Sequence, residues 1–168
     1  MVQWGTWETT MTLKALILGA TLTLGTACSA FAAGSDLIDG NDVNAILELA
    51  RGYGETKLEK QDNGDPKIKG DLDGITYAIY FMNCTDNKDC EDLNFYAGFL
   101  DLKPEMDVIN SWNRDKRFGK AYLDSDGDAV VEMDLNLEHG ISSDNLDADI
   151  SVWSLVVEQY AEHIGYEK

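Results

Sequence analysis

The stretch Ile109–Leu137, INSWNRDKRFGKAYLDSDGDAVVEMDLNL, decides how this chain is built. Ile109 and Trp112 stand three residues apart, the spacing of one helix face, and Arg114 to Arg117 follow where a helix C-terminus favours cations. Gly119 to Leu123 and Ala129 to Leu135 then read as a hairpin around the polar turn Asp124-Ser125-Asp126-Gly127-Asp128. Ala129, Val131, Met133 and Leu135 share one face of the second strand by the period of two.

On the N-terminal side of this segment, Pro104 opens the helix, because proline is favoured at the first helical position, and Met106 or Val108 completes its apolar side. Further upstream the pattern is strand-like. Leu93, Phe95, Ala97 and Phe99 alternate with Asn94, Tyr96 and Gly98, and Ile75 to Asn83 is rich in Tyr, Ile and Phe. Asp73-Gly74 is a hairpin signal joining that strand to Lys67–Leu72. Thr56 to Lys60 is short and charged, which suits an edge strand, and Asp62-Asn63-Gly64-Asp65 is the turn after it. A first helix carries Val43, Ile46, Leu47 and Ala50 on one stripe, with Asn41 or Asp42 as its cap and Gly52 and Gly54 as its stop.

Downstream, Leu146, Ile150, Trp153, Val157, Tyr160 and Ile164 form a sustained apolar stripe, capped by Ser142, Ser143 or Asp144. The predicted order is α-ββββ-α-ββ-α. Strands grouped in this way and joined by short turns predict an α+β fold, an antiparallel sheet with helices packed on it.

Residues 1–32 read as a cleaved leader. Lys14 precedes the uncharged run Ala15–Ala27, and Ser29-Ala30-Phe31-Ala32 offers an A-x-A site before Ala33. Glu8 and two tryptophans do not suit such a leader, so Met11 is the expected start. Lipidation of Cys28 is the weaker alternative, since Gly25 stands where a lipoprotein signal has leucine and a clean cleavage site follows. The expectation is a periplasmic or secreted domain, residues 33–168, not inserted in a membrane. Lys14 and Glu8 are the only charges the leader removes, so the net charge stays at −18. That balance excludes nucleic-acid and anionic-membrane binding, which need a basic footprint.

Cys84 and Cys90 are the cysteines left after cleavage. An even pair separated by five residues in an exported chain reads as a disulfide closing a hairpin, contributing about 2 kcal/mol through loop entropy. No metal site, cofactor or catalytic set is expected. The Asp clusters lack the Gly and Glu positions of a calcium loop, and turn chemistry accounts for them. His139 and His163 have no partner at a telling spacing. Arg114, Lys116, Arg117 and Lys120 read first as cations offsetting neighbouring acids and a helix end. Their second reading is a small basic patch for a carboxylate or phosphate on a partner, with Trp112 beside it. Trp112 and Phe118 are expected to be core anchors rather than ligand contacts.

The segments Ile109-Asn110-Ser111-Trp112-Asn113-Arg114, Arg117-Phe118-Gly119-Lys120-Ala121-Tyr122-Leu123 and Glu132-Met133-Asp134-Leu135 resemble the YbjN family, and Leu72-Asp73-Gly74-Ile75 agrees with it. The resemblance implies a fold like that of type III secretion chaperones, with a strongly bent sheet. It also implies a regulatory role of undefined chemistry and no catalytic residue. Trp112, Asn113, Arg114, Arg117, Phe118 and Gly119 are its signature and the candidate partner-binding positions. The functional expectation is an exported, non-enzymatic protein-binding or chaperone-like domain, acting as a homodimer on an unidentified protein. The alternative is a small-ligand or metal-dependent enzyme or binding protein using the Asp-rich loops.

Overall fold

A computed structural model describes residues 37–167. The leader, Met11, Cys28 and the Ala32/Ala33 junction lie outside them. Helix α1, Val43–Arg51, is followed by β1, Glu55–Lys60, β2, Pro66–Leu72, β3, Ile75–Met82, and β4, Asp92–Phe99. Then come α2, Met106–Asp115, the hairpin of β5, Lys120–Leu123, and β6, Ala129–Asn136, and the long helix α3, Ser143–His163. The six strands form one antiparallel sheet in the order β1-β2-β3-β4-β6-β5. The fold is α+β, in the predicted order. Among the described residues no helix is long and apolar enough to cross a membrane.

Local chemistry explains the register. Asp73 and Gly74 both take positive φ, 52° and 89°, and Asp71 accepts the Gly74 N–H at 2.8 Å, so the β2–β3 turn matches the twist of its strands. Leu93, Phe95, Ala97 and Phe99 are all buried and pair in register with Leu135, Met133, Val131 and Ala129 of β6. β1 forms one sheet edge and β5 the other.

α3 seals the inward face. Ser142 caps it, its hydroxyl accepting the Asn145 N–H at 3.2 Å. Leu146, Ile150, Trp153, Val157, Tyr160 and Ile164 are all buried, each contributing about 1.5–3 kcal/mol of gross burial. Trp153 meets Tyr77 of β3 and Phe95 of β4 at centroid distances of 6.4 and 5.7 Å. Tyr160 meets Phe99 and Trp112 at 5.6 and 5.0 Å, which ties β4, α3 and α2 together. The opposite face carries the half-buried Tyr80, Tyr96 and Tyr122.

Two local expectations need correcting. α2 begins at Met106 with Glu105 as its cap residue, so Pro104 stands ahead of the helix rather than opening it. Its ring still forbids an extension upstream. Asp42 precedes α1, but its carboxylate accepts the Asp39 N–H at 3.0 Å instead of capping the helix. Gly52 ends α1 as expected, in the right-handed region with φ −62°, its N–H bonding back to the Leu49 carbonyl.

Candidate functional site

The residues between α2 and β5 form a corner held from three directions. Trp112, 1% exposed, sends its indole N–H to the Gly119 carbonyl at 3.0 Å. Asn113 donates its side-chain N–H to the Ala121 carbonyl and accepts the Ala121 N–H, both at 2.9 Å. Gly119 fits where no other residue would: a Cβ there would lie 2.6 Å from Val156 Cγ1 on α3 and 3.0 Å from Val131 Cγ2 on β6.

Between these anchors the Gly119 N–H reaches the Arg117 carbonyl at 2.9 Å, closing a three-residue turn centred on Phe118. The φ of Phe118 is 71°. That turn is the strained member of its class, costing about 1–3 kcal/mol for a bulky residue. The ring gains little burial in return, because Phe118 is 62% exposed. The expectation that Phe118 is a core anchor is therefore corrected. Trp112 and the packing of Gly119 fix the C-terminal end of the turn against the core, and Phe118 points outward.

Phe118 forms one wall of a shallow groove of about 230 Å³. Leu155, 51% exposed, Val152 and Val156 line it from α3, and Lys116, Arg117 and Gln159 complete it with Trp112 at its base. Among the described residues no carboxylate lines the groove. Lys116 Nζ lies 3.0 Å from Gln159 Oε1 and 5.8 Å from the Trp112 ring centre, and the Arg117 guanidinium lies 5.0 Å from the Phe118 ring centre. The other two cations of the sequence cluster point elsewhere. Arg114 makes a two-pronged pair with Asp115 at 2.9 and 2.8 Å, and that hydrogen bonding holds the Asp115 carboxyl below its usual range. Lys120 is ion-paired with Glu132, which raises its own affinity for a proton. The basic run is thus divided, two members neutralised and two on the groove.

A family model described as "Putative bacterial sensory transduction regulator", YbjN, matches residues 42–165, nearly all of the described chain. The chain belongs to the YbjN family. No curated protein matches the sequence. Within this YbjN domain, the six signature positions divide by task. Trp112, Asn113 and Gly119 build the corner, Phe118 and Arg117 are displayed by it, and Arg114 is paired on the helix surface. Leu155, Val152 and Gln159 escaped the reading of the sequence. The signal for Leu155 and Val152 was their place beside the α3 stripe, apolar where a solvated face would be polar, and the polar Gln159 carried none.

The remaining candidates are structural in their contacts. Cys84 and Cys90 are joined in a disulfide across the β3–β4 connection. The loop it closes reaches two neighbours. Asp89 and Asn41 exchange two hydrogen bonds of 2.9 Å, and Asn87 donates to Asp65 at 2.8 Å. The loop therefore ties the start of α1 and the β1–β2 turn to the sheet.

The Asp-rich loops hold backbone. Asp124 accepts the N–H groups of Asp126 and Asp128 at 2.9 Å each, Asn63 accepts that of Asp65 at 3.0 Å, and the buried Asp128 accepts that of Asp101 at 3.1 Å. Among the described residues no group of three or more His, Cys, Asp or Glu side chains is arranged to hold a metal ion.

His139 is exposed, whereas His163 has partners that its sequence position hid. Its Nε2 lies 2.9 Å from the Val108 carbonyl and 3.1 Å from Ser111 Oγ. A carbonyl only accepts, so Nε2 carries a proton, and Ser111 itself donates to Val108 at 2.7 Å. Nε2 held in this way cannot take a proton from Ser111. The pair joins α3 to α2.

Proposed function

We propose that this YbjN protein is an exported, non-enzymatic binding module with a regulatory or chaperone-like role, and that its α2–β5 corner is where a protein partner docks. One observation carries the reading. Trp112, Asn113 and Gly119 hold Phe118 in a strained turn with its ring in water, beside the exposed Leu155 and the groove-lining Lys116 and Arg117. Backbone strain kept for an exposed aromatic gives no folding advantage, so its return is expected in recognition. A regulatory family fits such a task. The non-enzymatic reading is supported by the Asp side chains engaged in turns and by His163 acting as a donor to Val108. Export is supported by the leader pattern of residues 1–32 and by the Cys84–Cys90 bond, since such bonds persist in oxidising compartments.

A photo-reactive residue placed at position 118 in the producing cell should cross-link to a protein, while the same group at Met82, also exposed, should not. Equal labelling from both positions, or none from 118, would remove the corner from consideration. Sequencing of the mature N-terminus should begin at Ala33, and an uncleaved cytoplasmic chain would overturn export.

A further inference from the structure

We infer that the groove beside Phe118 takes a short segment of a partner carrying one large apolar or aromatic side chain next to one or two carboxylates. The segment is seated by its side chains and not added as a strand to the sheet. This rests on the reading of the corner as the docking site.

Size sets the first constraint. About 230 Å³ holds on the order of seven or eight waters at ~30 Å³ each, and pockets for drug-sized ligands begin near ~300 Å³. The groove suits one or two side chains.

Charge sets the second. The chain bears 31 acidic residues against 13 basic ones, yet Lys116 and Arg117 line this groove with no acid among its lining residues. A carboxylate beside the apolar anchor would meet both cations. A basic segment would be drawn to the protein as a whole and repelled here, and a polyanion would be repelled by the −18 of the whole. One or two carboxylates satisfy both conditions.

The mode of docking follows from Asn113. β5 is the sheet edge nearest the groove, and edge strands commonly accept a partner strand through free N–H and C=O groups. Both backbone groups of Ala121 are already held by the Asn113 side chain at 2.9 Å. With four residues in β5 and one of its outward positions closed, strand addition has little ladder to join. A second copy of the chain is disfavoured by the mutual repulsion of two bodies of charge −18.

The test is selection of a displayed library of random twelve-residue peptides on the folded, disulfide-bonded protein at low salt. Enriched peptides should place Asp or Glu within a few positions of Phe, Trp, Leu or Ile. Their binding should fall about tenfold or more in Phe118→Asn, in Leu155→Gln and in the pair Lys116→Glu/Arg117→Glu, as expected for hot-spot positions worth more than ~1.4 kcal/mol. All three changes are at exposed positions, and Asn tolerates the backbone of residue 118. Circular dichroism and thermal melting confirm that each variant is folded. Enrichment of basic peptides would overturn the charge argument. Peptides that bind all three variants unchanged would overturn the groove while leaving a binding module intact. No enrichment over an unrelated acidic protein would overturn the inference, while cross-linking from position 118 separately decides whether the corner meets a partner at all. Self-association abolished by Phe118→Asn in sedimentation would put a second copy in the groove and also overturn it.

Discussion

The carboxamide of Asn113 stands against Ala121 as a neighbouring strand's peptide would, giving one hydrogen bond and taking one, each 2.9 Å long. A helix side chain thus closes the edge of the sheet. Asn113→Ala should lower stability by about 1 kcal/mol, because the two bonds are only part-buried and the exposed Asn113 site lets water replace part of the loss. Urea unfolding would read this as a lower midpoint with an unchanged slope. The freed edge should also promote concentration-dependent association, visible by gel filtration. A variant as stable as the parent, and no more associated than it, would show that the two bonds matter neither to stability nor to the edge.

Trp112 is the anchor behind that clamp, packed edge-to-face on Tyr160 and within 5.5 Å of His163. Trp112→Ala should cost about 3–5 kcal/mol, the usual range for emptying a large aromatic site. Trp112→Phe keeps most of the apolar contact but loses the indole N–H to Gly119, so it should cost less. Chemical denaturation of the two variants checks the order. A loss of only a few tenths for the alanine change would place the ring outside the core.

Much of this architecture was legible because burial follows simple periods. The 4-3-4 stripe of α3 and the alternation of Leu93, Phe95, Ala97 and Phe99 gave their faces directly, and Asp73-Gly74 gave a turn. Helix ends were less legible, since Asp42 carries a cap-like identity but accepts the Asp39 N–H, and Pro104 stands ahead of α2 rather than in it. The corner was half visible. Its residues stood out as a signature, but no local rule says that Phe118 points outward. That follows from Gly119 being pinned between Val156 and Val131, residues 37 and 12 positions away in sequence. The groove's α3 wall and the Ser111–His163 contact depend on the same long-range packing, which a one-dimensional pattern does not contain.

The Cys84–Cys90 bond closes a loop that also holds Asn41 and Asp65. Thiol labelling of the purified, unreduced protein should find neither cysteine reactive, and two labelled thiols would refute the bond. Cys84→Ser/Cys90→Ser should lose about 2 kcal/mol from loop entropy. It should also speed exchange of the Asp89 amide, whose N–H donates from the loop to the Asn41 side chain. Unchanged exchange there would mean that the loop keeps its shape without the bond.

Alkaline solution should expose the tyrosines of the core. Burial, with the Asp71 charge adding to it, pushes the Tyr77 hydroxyl up to about 12, and burial raises Tyr160 as well. Tyr122 is raised by burial and by donating to Glu132 at 3.0 Å. An unfolded tyrosine ionises near ~10. Above that value the unfolded chain loses protons that the native state keeps, so it binds fewer protons and native stability falls as pH rises. The stabilisation is full below about pH 10 and disappears as pH passes the folded values. Tyrosinate absorbance removed by Tyr77→Phe or Tyr160→Phe should come from the step that coincides with loss of near-ultraviolet dichroism. If it came from an earlier step in a still-folded protein, these hydroxyls would not be protected.

Phe118 offers the sharpest separation of folding from recognition. Its φ of 71° is unfavourable for a bulky residue and natural for glycine, and its ring is mostly in water. Phe118→Gly removes the strain, worth about 1–3 kcal/mol, and adds chain entropy to the unfolded state, worth up to about 1 kcal/mol in the other direction. The net expectation is a melting temperature equal to or above the parent's. The same change deletes one wall of the groove, so cross-linking at the corner and binding of selected peptides should fall. Stability retained with binding lost is the pattern of a residue kept at some cost for its partner. A Phe118→Gly protein that melts well below the parent would instead give the ring a packing role, and the strain would then need no functional explanation.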